Sequence, residues 1–326
     1  MPAGDHSPEE DHVVSTGTST ATAPTEDLPR RRAVLVVLSC LAGFLLTVVW
    51  SAEFVDQTIG ANVANTLLGQ DTEHTPIVGA AAGIAFAFVS GLAGTFTACN
   101  IAAFGTMGSV LTATGNRRQR MAATLRPLGW MSLGLVVVSA SYGALVGLVG
   151  TAMPQFSTAP TTAGELPPRL VQAMLVFGVI GLVMCYLGLA AVRVVPDPFS
   201  RIRHRLPHAP MVLLGALIGG FLIGRPFPLF RQMFHDAAES GSPLYGAAAF
   251  TLQSLANVLL LALLLLLLAA FAGGRVHRWL TAKPSRGPAI TATAMLVAGS
   301  FLVLYWDVRI LARYDFIPWY PMAPWT

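Results

Sequence analysis

Long apolar runs separated by short polar segments set the pattern of this chain. The runs cover residues 33–50, 76–113, 124–152, 168–195, 209–235, 243–273 and 287–308. About 20 helical residues suffice to cross a hydrocarbon core roughly 30 Å thick. Lipid offers the backbone no hydrogen-bond partners, so an apolar run of that length spans as a helix. The pattern therefore predicts an all-α integral membrane protein with seven transmembrane helices. Residues 1–29 carry Ser, Thr, Pro, Ala and acidic side chains with almost no large apolar ones. Such a stretch buries too little surface to offset its ordering entropy and reads as a disordered tail.

Two runs are irregular. The second is 38 residues long and holds Gly91, Gly94, Gly105 and Gly108, so a straight helix is not expected there. The fifth is interrupted by Gly224-Arg225-Pro226-Phe227-Pro228. Proline removes a backbone donor and clashes with the preceding turn, so the helix must kink or break. Breaks at membrane depth persist only where protein or a wet cavity covers the freed backbone groups. With the first helix set aside, the other six divide into three plus three, and each half opens with its irregular helix. The halves enter from opposite sides, which is the pattern of an inverted repeat with a central site. Close helix packing is the alternative use of the same glycines.

Charge fixes the orientation. Arg30-Arg31-Arg32 precede the first run, and basic loops follow the second, fourth and sixth: Arg117, Arg118, Arg120 and Arg126; Arg193, Arg201, Arg203 and Arg205; Arg275, Arg278, Lys283 and Arg286. The intervening loops are acidic or neutral. The positive-inside rule then gives a multi-pass plasma-membrane protein with a cytoplasmic N-terminus and an extracytoplasmic C-terminus. A signal peptide is the alternative for the first run, since Trp50-Ser51-Ala52 offers a weak cleavage site; its length and the long leading tail favour an uncleaved helix. At 54% hydrophobic and 11% charged, the chain lacks the polar shell of a soluble domain, which is about a quarter charged. The net charge of +4 sits in loops beside apolar spans and reads as an orientation signal, with membrane lipid rather than nucleic acid as the partner.

The three cysteines, Cys40, Cys99 and Cys185, all lie within apolar runs and form no C-x-x-C, so neither a disulfide framework nor a zinc site is expected. There is no Gly-rich phosphate loop, G-x-S-x-G, H-E-x-x-H or pair of catalytic carboxylates, and no cofactor or metal is implied. His204 and His208 flank Pro207, which argues against a shared helix face and a metal site there. Arg225 is the most informative residue, because an arginine inside a span is costly unless it pairs, snorkels or lines a wet cavity. Counted from Pro210 it lies about 22 Å along its helix, past the midplane. From there it either snorkels outward beside Arg231, His235 and Asp236, fixes an anion, or holds a thiolate at Cys99. Asp307 and Arg309 at the end of the last run read as an interfacial charge pair. The closing Ile317-Pro318-Trp319-Tyr320-Pro321-Met322-Ala323-Pro324-Trp325 suits the headgroup belt, with a partner-docking strip as the alternative.

The two irregular helices carry a family likeness. Gly91-Leu92-Ala93-Gly94-Thr95-Phe96-Thr97-Ala98-Cys99-Asn100-Ile101-Ala102 in the first half and Gly219-Gly220-Phe221-Leu222-Ile223-Gly224-Arg225-Pro226-Phe227-Pro228 in the second resemble the helix openings of the CcdA/DsbD transmembrane family of the LysE-like group. In that family each half opens with a small-residue run followed by Pro-Cys-x-x-Pro. Cys99 keeps the cysteine position while Ala98 and Ala102 replace the prolines; Pro228 keeps the last proline of the second half, and Arg225 stands where its cysteine would be. The resemblance covers residues 76–311 and implies six helices in two inverted halves. It leaves 30–55 as an extra N-terminal helix and 312–326 as an outer tail. It also implies a role in cytochrome c biogenesis or transmembrane thiol–disulfide electron transfer, with a thioredoxin-like or cytochrome c maturation protein as partner. Moving two electrons as a disulfide needs two thiols that can meet. With Arg225 in place of the second, the implied oxidoreductase is degenerate, and Cys99 is its one candidate catalytic residue. Gly94, Asn100, Gly224, Arg225, Pro226 and Pro228 would line the cavity at the helix breaks. A transporter or exporter of a small solute or anion, with Arg225 as ligand, and a non-catalytic scaffold subunit are the two alternatives.

Overall fold

The computed structural model describes residues 31–51, 80–93, 116–160, 164–224 and 228–324, with the isolated positions 62, 65, 66, 69, 103, 104 and 106. Every regular element among them is helical. The elements are α1 (Arg32–Val49), α2 (Ala80–Ala93), α3 (Arg117–Val149), α4 (Pro168–Ala191), α5 (Ala209–Gly224), α6 (Pro228–Glu239), α7 (Pro243–Phe271), α8 (Gly273–Thr281), α9 (Arg286–Val303), a π-turn (Leu304–Val308) and α10 (Arg309–Arg313). Five rods are long and apolar enough to cross a membrane: α1, α3, α4, α7, and the continuous α9–π-turn–α10. Helices α2 and α5 are apolar but shorter. The chain is a multi-pass membrane protein built from helices alone among the described residues.

Local chemistry sets the helix ends. Asn116 and Gln119 form a reciprocal capping box at the start of α3, satisfying two donors that a helix leaves orphaned. Gly150, at φ +67°, ends that helix in a conformation that side chains resist. Helix α7 opens with Ser242 accepting from the Tyr245 N–H and Pro243 at its first position, where a missing N–H costs nothing.

Small residues join the helices, as expected where lipid is as apolar as leucine and close backbone approach supplies the attraction. A methyl group built on Gly299 of α9 would fall 2.6 Å from the Gly181 carbonyl oxygen of α4, and one built on Gly181 would fall 2.8 Å from the Gly299 oxygen. Gly143 of α3 and Gly246 of α7 face each other's carbonyls in the same way. Gly91 of α2 lies on the Gln253 carbonyl of α7, and Gly215 of α5 on the Met131 carbonyl of α3.

The order of these contacts gives the direction of each helix. Helix α2 runs parallel to α7, with Gly83 at Tyr245 and Gly91 at Gln253, and α5 runs parallel to α3, with Gly215 at Met131 and Gly219 at Leu135. Helix α3 is antiparallel to α7 (Gly147 at Ser242, Ser139 at Ser254), and α4 is antiparallel to both α9 (Gly181 at Gly299, Gly188 at Ala292) and α5 (Ile180 at Gly220, Phe177 at Gly224). Helix α1 runs parallel to α9, from Gly43 at Val297 to Thr47 at Arg309. Thus α1, α3, α5 and α9 point one way, and α2, α4 and α7 the other.

The basic loops gather at one end. Arg120 lies against Gly273, and the His208 ring stacks on Trp130 with centroids 4.9 Å apart. At the opposite end Phe156 meets His235 at 4.7 Å, Arg169 donates to the Ser157 carbonyl at 2.7 Å, and the Gly164 N–H donates to the Tyr314 carbonyl at 3.0 Å. The C-terminal tail is laid over the end of α1: Tyr320 is buried and bonds through its hydroxyl to Thr47, and the Ala323 N–H donates to the Val48 carbonyl at 3.1 Å. Trp319 of the same tail is 74% exposed, as a ring in a headgroup belt would be.

One sequence expectation is corrected. Asp307 and Arg309 do not pair. Arg309 is buried and donates through Nη1 to the carbonyls of Thr47 and Trp50, both at 3.2 Å, with its guanidinium 4.7 Å over the Tyr305 ring. The last turn of α1 presents orphan carbonyls, and these outcompete a carboxylate on the arginine's own helix.

Candidate functional site

Helices α4, α5 and α9 meet along a seam whose character changes from one end to the other. At the basic end a cavity of about 190 Å³ is lined by Thr106, Leu187, Asp197, Arg203, Leu214, Thr291 and Met295, among others. Its rim carries an Asp197–Arg203 ion pair at 2.6 Å, in which both side chains are partly exposed. Such a pair contributes little stability in water. Asp197 also accepts from the Phe199 N–H at 2.9 Å, which folds the loop over the cavity.

Toward the other end the seam is closed by aromatic rings. Phe177 stacks on Trp306 with centroids 4.4 Å apart and meets Phe221 edge-on at 4.9 Å, and all three are buried. Gly224, the last residue of α5, gives Phe177 its room: a methyl there would lie 2.8 Å from the ring.

Polar groups are set beyond the rings. Gln172 of α4 donates through Nε2 to the Ile223 carbonyl at 2.8 Å and to the Tyr142 hydroxyl at 2.9 Å. Tyr142 donates in turn to Gln155 Oε1. A last-turn carbonyl of α5 is thereby covered by a side chain from the other half of the chain, as a helix end at membrane depth requires. Gln155 Nε2 and Asp307 Oδ2 are buried with no hydrogen-bond partner. The Asp307 carboxylate lies against Gly178 of α4, where a methyl would fall 2.9 Å from Oδ2.

A second polar group lies where α3 crosses α7. Ser139 and Ser254 share a 2.6 Å hydrogen bond, and next to Ser254 the Gln253 side chain is 1% exposed with neither amide atom partnered. Gln253 is about 15 Å along α7, the depth of the midplane. Gln253→Met keeps the volume and removes two unsatisfied groups, so it should raise stability by about 1–3 kcal/mol. Thermal unfolding in detergent checks this, and a drop would show that the amide has a partner in the folded protein.

Of the residues singled out in the sequence, Gly224 closes α5 against Phe177, and Pro228 begins α6. Gly94, Cys99, Asn100, Arg225 and Pro226 lie outside the described residues. Cys185 of α4 packs at Gly299 of α9, and Cys40 lies on α1, which packs on the same rod. The sequence reading passed over Tyr142, Gln155, Gln172 and Gln253. A glutamine within or at the edge of an apolar run is a signal in itself, since every polar group there must find a partner. No family model, curated protein or solved structure matches the chain.

Proposed function

We propose that this protein is a small-solute carrier of seven crossings, in which an N-terminal helix precedes two inverted three-helix halves. The alternating directions of five spanning rods and two shorter apolar helices support seven crossings. The inverted repeat is supported by a contact made twice. Gly91 lies on the Gln253 carbonyl and Gly215 on the Met131 carbonyl; the two glycines are 124 residues apart and the two carbonyl residues 122. In each case the opening helix of one half packs parallel on the middle helix of the other. The basic loops at one end support a cytoplasmic N-terminus.

The observation that carries the reading is the cavity between the halves: α4 from the first, α5 and α9 from the second, with Thr106 of the second apolar run on its wall. Carriers of this architecture hold their solutes at the repeat interface. The cavity is smaller than a drug-sized site of about 300–1,000 Å³, which suits a small solute. It lies at the basic end, and the buried Phe177–Trp306–Phe221 layer stands farther along the same helices, as one face of an alternating-access cycle would require.

A single cysteine tests it. With Cys40, Cys99 and Cys185 replaced by alanine, Thr291→Cys should react with a membrane-impermeant maleimide from the basic side. One class among small organic anions, amino acids and neutral polar solutes should slow that labelling and move into proteoliposomes. A Thr291→Cys that is unreactive from both sides, or protected by none of these solutes, sinks the reading.

The thiol–disulfide role implied by the CcdA/DsbD resemblance is the second reading. The placement of Cys40 and Cys185 on two helices that both pack on α9 favours it, because two thiols are carried to one rod even without Cys99. Trapping of a mixed disulfide with a thioredoxin-like protein, lost in Cys99→Ser or Cys185→Ser, would establish it over the carrier.

A further inference from the structure

Asp307 is a carboxylate inside the apolar rod Arg286–Arg313, and four features set it apart. Its Oδ2 is buried without a partner. It lies in the π-turn Leu304–Val308, where the regular ladder is interrupted, and such turns recur at functional sites because the helix can rewind there. It faces Gly178, on the wall of the same seam that holds the cavity. And it adjoins Trp306, one of the rings that close the seam.

The charged and titratable groups on the elements packed around it are turned elsewhere. On its own rod, Arg309 is committed to the Thr47 and Trp50 carbonyls, Tyr305 lies under that guanidinium, and Arg313 and Tyr314 lie a turn or more beyond. On α4, Arg169 donates to the carbonyls of Ser157 and Ala159, and Cys185 packs lower down, at Gly299. On α1, the titratable group within the span is Cys40, two turns before Thr47. None of these is bonded to Asp307.

An uncompensated carboxylate in a span is expensive, and such residues are rare outside ion pathways and proton relays. A bound proton removes the charge and turns Oδ2 into a donor. We propose that Asp307 is the proton-binding residue of this protein, and that its protonation couples the seam to the transmembrane proton gradient; the coupling rests on the carrier reading above. The balance is simple. A proton from water joins the carboxylate as an O–H, leaves the group neutral while the aromatic layer is closed, and departs to water when the layer opens on the other side. Gln172, six residues before Gly178 and about 9 Å along α4, stands between the site and the outer end, with Tyr142 and Gln155 bonded to it.

Infrared spectroscopy of the full chain in lipid, scanned against pH with no solute present, reads this directly. The wild type should show a carboxylic C=O stretch that appears and disappears with pH. That band should be missing in Asp307→Asn and moved in frequency in Asp307→Glu. If the Asn variant keeps the wild-type band, the proposal is overturned. Should Asp307→Asn fail to fold, the Glu variant decides, because an unmoved band there excludes residue 307 as its source. The solute-protection assay at Thr291→Cys separates the two claims: a titrating Asp307 together with a cavity that no solute protects overturns the carrier and the coupling, while a protected cavity without the band overturns the proton site alone.

Discussion

Gly299→Leu will separate α9 from α4 and cost about 3 kcal/mol or more, the upper range for overpacking a filled interior. A Cβ at this position meets the Gly181 carbonyl oxygen at 2.6 Å, Cys185 Sγ at 2.7 Å and the Cys185 backbone nitrogen at 2.8 Å. Two of those three atoms are backbone, so no rotamer change relieves the clash; one helix must move away from the other. The displacement also opens the seam, since Leu302 and Trp306 of the same rod are buried against α4 and its neighbours. Gly287→Leu is the control on the same helix, because nothing lies within 4 Å of its Cβ. That variant should stay within about 0.5 kcal/mol of the wild type, as exposed substitutions do. Tryptophan fluorescence during thermal unfolding in detergent compares the two, and equal midpoints would contradict backbone-to-backbone packing at Gly181 and Gly299.

Arg309→Met should release the end of α1, with a loss of about 1.5–3 kcal/mol, the range for hydrogen bonds to a charged group. Methionine keeps much of the apolar stem, so the loss reports the guanidinium rather than the packing. Two effects compete. Removing a buried charge relieves its desolvation, which offsets part of the loss. Removing its bonds strands the carbonyls of Thr47 and Trp50, whose helix has no further turn to satisfy them. The second effect should win, because one substitution strands two carbonyls. Arg309→Lys should recover only part of the stability, since a single ammonium lacks the planar fork that spans two carbonyls. Hydrogen exchange over residues 44–50 is the readout: it should quicken by at least about tenfold in Arg309→Met, the equivalent of about 1.4 kcal/mol. Unchanged exchange there, with stability lost elsewhere, would place the arginine's role outside α1.

The fold was legible to the extent that it follows from runs of apolar residues. The lengths of 124–152, 168–195 and 243–273 announced α3, α4 and α7, and the basic loops between runs announced a common end. The second run is too long and too glycine-rich for one straight helix by its sequence, and most of its residues after Ala93 lie outside the described set. The site was less legible. Its glycines are visible in the sequence, but that Gly224 gives room to Phe177 is not. Asp307 and Arg309 read as partners because both end the last apolar run, yet residues two apart point to different sides of a helix.

Sequence by itself determined that the chain is helical and lives in a membrane, because those properties depend on how many apolar residues follow one another and where the charges interrupt them. It also marked where small residues allow close approach. Tertiary structure alone decided which helices meet, that Gly181 faces Gly299 and that Gly91 and Gly215 sit on the carbonyls of Gln253 and Met131. It decided too that Gln172 covers the Ile223 carbonyl and that the arginine of the last rod serves α1 while its aspartate is left bare. The reason is physical. In lipid every helix is apolar on all sides, so no hydrophobic face says which neighbour to choose. That choice falls to backbone contacts and to a few polar side chains, whose partners lie scores of residues away.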